Sequence, residues 1–243
     1  MSDRIIYVLC YDDESEKRAR TDFEKYWWAR IYRIPEEAQN HLFEGVMYTT
    51  ELMKLYDEWK DKAYVGTISY KLIERSRYLH TTFDKTIQSI EYTQPNRDTV
   101  VSLAGVFTGI VFDYVNYGEK VFVDTCNNIG LPISREKSHQ PFSLFNKSHH
   151  QLQYNIYTSE FIFFNHWMTS PYWMLKYIHF FNNVWLPTLE SHPDVWNDSG
   201  YPGRMSKEKL LRLTKRVDYY SLHPFLNERL VSLFFYYNNL KQL

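Results

Sequence analysis

The chain has 243 residues, with 28 Lys and Arg against 29 Asp and Glu, and a formal charge of −1. At about 100–200 residues per domain, this reads as a single domain, 1–243, able to bury a core without covalent staples. The charge balance argues against a nucleic-acid partner, which needs a clustered basic surplus to meet phosphates. Cys10 and Cys126 cannot build a disulfide framework, so a reducing, cytoplasmic setting is expected. No apolar run approaches the ~20 residues of a membrane span, and Met1-Ser2-Asp3-Arg4 with a short apolar run does not read as a signal peptide. Aromatic residues make up 18% of the chain. Tyr and Trp combine an apolar face with a polar handle, which suits sugar-like or base-like ligands as well as core filling.

Ile5–Cys10 is a β-branched apolar run ended by Tyr11-Asp12-Asp13-Glu14-Ser15, which predicts a buried strand and then a loop or short helix. Ala29–Ile34 predicts a second strand, stopped by Pro35. From His41 to Lys60 apolar residues recur at threes and fours, which predicts an amphipathic helix. Ala63–Tyr70 predicts a strand, Thr82–Tyr92 a helix and Thr99–Leu103 another strand. Helix and strand alternating through short connections predict an α/β fold with a mainly parallel sheet flanked by helices.

Beyond about residue 115 the pattern turns helical, with Phe161–Phe164 as one more expected strand. Ser170 begins an aromatic helix that tolerates Pro171 in its first turn but should break at Pro187. Pro224 opens a last helix, to about Asn239.

There is no phosphate-cradling G-x-x-x-x-G-K-[ST], no G-x-G-x-x-G and no G-x-S-x-G nucleophile elbow. His149-His150 and the other histidines lack zinc-site spacing. Asp12-Asp13-Glu14 is a tight acidic cluster beside a strand end. It could hold a divalent cation through carboxylate oxygens, or simply supply helix-capping residues.

Four blocks carry a family resemblance: Thr50-Glu51-Leu52 with Tyr56, Trp59-Lys60, Tyr64-Val65-Gly66 and Tyr70-Lys71; Asp98-Thr99-Val100-Val101; Asn165 to Glu190, a strand-to-helix unit beginning at Asn165, with Tyr177 and Trp185-Leu186; and Glu228-Arg229-Leu230. In this order they resemble a family of glycosyltransferase-like proteins from bacterial capsule and exopolysaccharide clusters, with relatives in large DNA viruses. That family's central strand ends in His-Tyr-Arg-Arg. This chain has Ser69-Tyr70-Lys71-Leu72, which keeps the Tyr and one base.

The resemblance implies a GT-A-like fold with a nucleotide-sugar-binding half, 1–115, and a more helical acceptor-side half, 116–243. It implies transfer of a sugar from a nucleotide-diphosphate donor to a glycan or glycoconjugate, in the host cytoplasm for a viral chain. A non-catalytic carbohydrate- or nucleotide-binding module on the same fold is the alternative. The expected donor site comprises Tyr11, Asp12 and Asp13, then Gly66, Ser69, Tyr70, Lys71, Arg75, Asp98 and Arg229. The family's usual Asp-x-Asp metal pair is absent. Either Asp12, Asp13 or Asp98 holds Mn²⁺ or Mg²⁺, or Lys71, Arg75 and Arg229 neutralise the departing diphosphate directly. Arg75 and Arg77 also read as a solvated helical face.

Glu228 lies on an apolar helix and is the expected general base, with His223 and His166 as other candidates. An equally open reading makes Glu228 a structural partner of an Arg. Asn165 and Trp167 are expected on the acceptor side, where Tyr154, Tyr157, Tyr172 and Trp173 offer further rings for stacking or for core packing.

Overall fold

The computed structural model describes residues 3–75, 82–103, 124–130, 165–197, 223–238 and 240–242, together with Val121, Glu208 and Leu211. The expected strand at 161–164 and the residues Arg77, Tyr154 and Tyr157 lie outside these. Strands β1 (Arg4–Cys10), β2 (Ala29–Arg33), β3 (Tyr64–Ser69), β4 (Thr99–Ser102), β5 (Trp167–Thr169) and β6 (Lys241–Gln242) form one sheet in the order β2-β1-β3-β5-β4-β6. β1 pairs in parallel with β2 and β3, and β4 in parallel with β6. β5 is antiparallel to both β3 and β4 and separates them. The fold is therefore mixed α/β, mostly parallel, with one inserted antiparallel strand.

Successive side chains alternate between the two faces of a strand. One face carries Tyr7, Leu9, Tyr32, Thr67 and Trp167, aligned by the β-register. The opposite face carries Ile6, Val8 and Cys10. Helix α1 (Asp13–Phe23) buries Ala19 and Phe23, and the helix Phe83–Tyr92 buries Ile87 and Ile90.

The segment 41–60 is not the single helix its periodicity predicts. It is a 3₁₀ turn (Phe43–Gly45), a π-turn (Met47–Glu51) and two short α-helices, α2 (Leu52–Lys54) and α3 (Tyr56–Trp59). Gly45, Val46, Met47 and Tyr48 are all buried, and four consecutive residues cannot share one stripe of a 3.6-residue helix. Changing the winding lets all four reach the core. Next come α4 (Leu72–Arg75) and α5, the Phe83–Tyr92 helix, which Thr82 caps through its hydroxyl on Lys85 N–H.

Helix α6 (Pro171–Phe180) begins at Pro171 as expected. The helical path continues beyond α6 through Pro187. A π-turn (Phe181–Trp185) intervenes, in which Leu186 N–H reaches back to Phe181 O. That shift in register places Pro187 in the first turn of α7 (Leu186–Glu190), where its missing N–H costs least. α8 (Pro193–Trp196) follows, and α9 (His223–Tyr237) leads back to the sheet at β6. Among the described residues no helix is long and apolar enough to cross a membrane.

Candidate functional site

β1 feeds through α1 into β2 on one side, while β3 lies on its other side and the chain then continues away from β1. Loops leaving two adjacent parallel strands in opposite directions open a crevice at their carboxyl ends, where open α/β sheets bind ligands. Here those loops are Tyr11-Asp12 after β1 and Tyr70-Lys71 after β3. Leu9 is in register with Ser69, and Tyr70 N–H donates to Leu9 O at 3.3 Å. Residues about sixty positions apart in sequence thus meet at one rim.

The two sides of this rim differ in charge. On the α1 side Asp12 is the N-cap: its side chain accepts Ser15 N–H, while Ser15 Oγ accepts Asp12 N–H, each at 2.9 Å. Asp13, Glu14 and Glu16 fill the first turn of α1, where carboxylates offset the positive end of the helix dipole. Asp13 forms an ion pair with Arg33. Gln39, buried, ties this loop down by donating from Nε2 to Tyr11 O and Ile34 O at 2.8 and 2.9 Å.

On the β3 side, the buried Ser69 accepts Lys71 N–H at 3.2 Å. The Tyr70 ring has the Lys71 ammonium 5.5 Å and the Arg18 guanidinium 5.9 Å from its centre. Arg18 also pairs with Glu74 at 2.8 Å. An anion is therefore opposed by the first turn of α1 and favoured beside Tyr70, where Lys71 of the β3 loop and Arg18 of α1 meet. Arg75 ends α4, the short helix that follows Lys71.

Two expected donor residues lie elsewhere. Gly66 is in mid-strand, opposite Ile6 and Met168. A Cβ there would lie 2.6 Å from Met168 Cβ and strike the Trp167 carbonyl. The glycine permits close approach of β5, not of a ligand. Asp98 precedes β4, which runs parallel to β3, so it lies at the sheet's amino edge and accepts Trp173 Nε1–H at 2.8 Å. A six-residue strand at about 3.3 Å per residue separates that edge from Asp12.

The carboxylates offered for Mn²⁺ or Mg²⁺ consequently do not converge. Asp12 is engaged as a cap, Asp13 pairs with Arg33, and Asp98 is at the far edge. Among the described residues no three His, Cys, Asp or Glu side chains cluster in a way that could hold a metal ion.

The acceptor-side pair sits where antiparallel β5 begins, at the same carboxyl rim. Asn165 is buried with a positive φ of 55°, and its carbonyl accepts Thr67 Oγ1–H at 2.7 Å. Trp167 is fully buried, its Nε1–H donating to Tyr48 Oη at 3.0 Å. It packs on Tyr48, Tyr177 and Phe235 and is core, not a stacking platform.

The three proposed bases are likewise buried: His166 and His223 completely, and Glu228 with 8% exposure. His223 stacks on Trp196 at 4.8 Å and meets His41 edge-on at 5.0 Å. Desolvation, with a smaller push from His41, lowers its pKa to about 3. An imidazole so disinclined to take a proton is a weak base at neutral pH, which removes the reason for nominating it. Arg229 follows Glu228 on α9.

The sequence reading missed the buried carboxylate of Glu51. It accepts from Tyr32 Oη at 2.5 Å, Thr50 Oγ1 at 2.9 Å and Lys54 Nζ at 2.7 Å. Burial pushes its pKa up, but the hydrogen bonds from Lys54, Tyr32 and Thr50 outweigh this and hold it below the usual carboxylate value. Glu51 is part of the Thr50-Glu51-Leu52 block, and a charge inside an otherwise apolar stripe is the signal that marks it. Gln39 and Arg18 carry no such signal.

Comparison with protein-family models, with curated proteins and with solved structures returned no match.

Proposed function

We propose that the protein is a glycosyltransferase that binds the diphosphate of a nucleotide-sugar at the β1/β3 rim and passes the sugar to a glycan or glycoconjugate. The observation that carries this reading is the convergence of Tyr11, Ser69, Tyr70 and Lys71 at the crevice between strands whose connections diverge. The residues most like the glycosyltransferase-like family, Tyr64 to Lys71, are β3 together with this rim. In the reaction an acceptor hydroxyl attacks the anomeric carbon, and the bond from that carbon to the diphosphate oxygen breaks. Lys71 and Arg18 offset the charge left on the diphosphate. Glu228 takes the hydroxyl proton.

A second reading, a module that binds nucleotide or carbohydrate without turnover, is favoured by the burial of Glu228, His166 and His223. Thermal-shift titration with UDP, GDP and CDP, with and without Mn²⁺, tests the shared part, because a ligand of the folded state raises apparent stability. A shift that needs no metal and is lost in Lys71→Ala, with the unliganded melting temperature unchanged, supports the rim assignment. No shift with any nucleotide refutes it. Sugar release from the matching nucleotide-sugars, abolished in Glu228→Gln, separates the transferase from the binding module.

A further inference from the structure

Trp27 is 53% exposed, the most exposed tryptophan among the described residues. Its neighbours hold it there. Trp28 is buried, stacks on Tyr26 at 5.1 Å, and has its carbonyl bonded to Ile6 N–H. Ala29 N–H closes the turn on Tyr26 O at 3.1 Å. With residues on either side locked to the core, Trp27 projects at the second position of a fixed turn. Beside it lies a surface cleft of about 450 Å³, within the range of small-ligand sites, lined by Trp27, Arg30, Glu58, Lys62, Arg4 and Ile5.

The chemistry of the cleft narrows its ligand. Arg30 and Glu58 form an exposed pair at 3.3 Å, which presents donors and acceptors side by side. Arg4 is engaged by Asp3 and by the Ile90 carbonyl, so it adds no bare charge. A ligand rich in hydroxyls, each both donor and acceptor, matches the Arg30–Glu58 pair, and its C–H face matches the exposed part of the indole, whose ring centre lies 6.0 Å from the Arg4 guanidinium. The exposed aromatics Tyr92 and Tyr172 lie in segments that also meet the amino edge: Tyr92 ends α5, and Tyr172 follows β5.

We propose that the cleft beside Trp27 is a carbohydrate-binding subsite for a neutral oligosaccharide, on the edge of the sheet opposite the β1/β3 rim. It holds a glycan independently of nucleotide binding and does not rest on the transferase reading.

Isothermal titration of the whole chain with maltohexaose, cellohexaose and chitohexaose tests this. At least one should bind with a Kd below about 10 mM, and Trp27→Ala should weaken it about tenfold or more. Trp27→Phe, which keeps a ring, should retain most of the affinity, and Lys71→Ala should leave it unchanged. Binding of none of the three sugars, or equal binding to Trp27→Ala, overturns the proposal. Loss of UDP, GDP or CDP binding in Trp27→Ala overturns it in favour of a nucleotide site. Trp27-dependent binding to phosphatidylcholine–phosphatidylserine vesicles without sugar binding overturns it in favour of a lipid surface.

Discussion

Replacing His223 with Phe should flatten the acid limb of the stability curve. The imidazole is fully buried between Trp196 and His41, and neither ring nitrogen has a hydrogen-bond partner among the described residues. Its folded pKa of about 3 compares with an ordinary value of 6.5. Below pH 6.5 the unfolded chain binds a proton that the folded chain refuses, so stability falls as pH drops. The slope is about 1.4 kcal/mol per pH unit until the folded pKa is approached. Above pH 6.5 both states are neutral and the term vanishes. Between pH 7 and pH 5 this one residue therefore removes about 2 kcal/mol. Phe keeps the stack on Trp196 and cannot titrate. Urea unfolding at both pH values should show wild type losing about 2 kcal/mol more than His223→Phe between them. Parallel losses, within about 0.5 kcal/mol, would show that His223 is protonated in the folded protein and that its burial has been misread.

Other substitutions probe the rim and its supports. Gly66→Ala forces a Cβ against Met168 and the Trp167 carbonyl, so urea unfolding should show a loss of at least about 1–3 kcal/mol; a neutral result would refute the β3–β5 pairing. Asp12→Ala removes the α1 cap and should cost about 1 kcal/mol, equally with and without Mn²⁺; a cost that appears only with Mn²⁺ would make Asp12 a metal ligand. Glu51→Gln removes a carboxylate whose pKa is lowered by folding. Its stabilising contribution exists above the unfolded carboxylate pKa and disappears as pH falls through the folded one. The variant should therefore lose stability at neutral pH and match wild type more closely in strong acid, as read by urea midpoints across that range.

Much of the sheet was legible because its strands are β-branched runs closed by turn chemistry: Ile5–Cys10, Ala29–Ile34, Ala63–Tyr70 and Thr99–Leu103 each contain or nearly match an observed strand. β5 at Trp167–Thr169 was not marked by the residues' own pattern, although the family resemblance implied a strand-to-helix unit beginning at Asn165. It has only three residues, all buried, in an aromatic stretch with no alternation, and its antiparallel insertion between β3 and β4 is set by tertiary pairing alone. The winding of 43–59 was illegible for a related reason. Periodicity records which residues are apolar, but not that Gly45 through Tyr48 must all be buried at once.

The same contrast divides the candidate site. Tyr11, Ser69, Tyr70 and Lys71 follow or end strands, and in parallel pairing all strand ends of that kind share one rim. Asp98 precedes its strand, so the same rule puts it at the other edge. Glu228 and His223 belong to a helix whose apolar surroundings hid whether it faced a pocket or the core, and burial settles that for His223. What composition could not reveal is the division of charge across the rim. The first turn of α1 is acidic and already satisfied by its own cap, while the β3 loop presents Lys71 beside the Tyr70 ring, where it meets Arg18 from further along α1. On the proposed reading this asymmetry orients the donor: the diphosphate lies over the β3 loop, and the uncharged hydroxyls of the nucleoside face the carboxylates of α1, where a phosphate would be repelled.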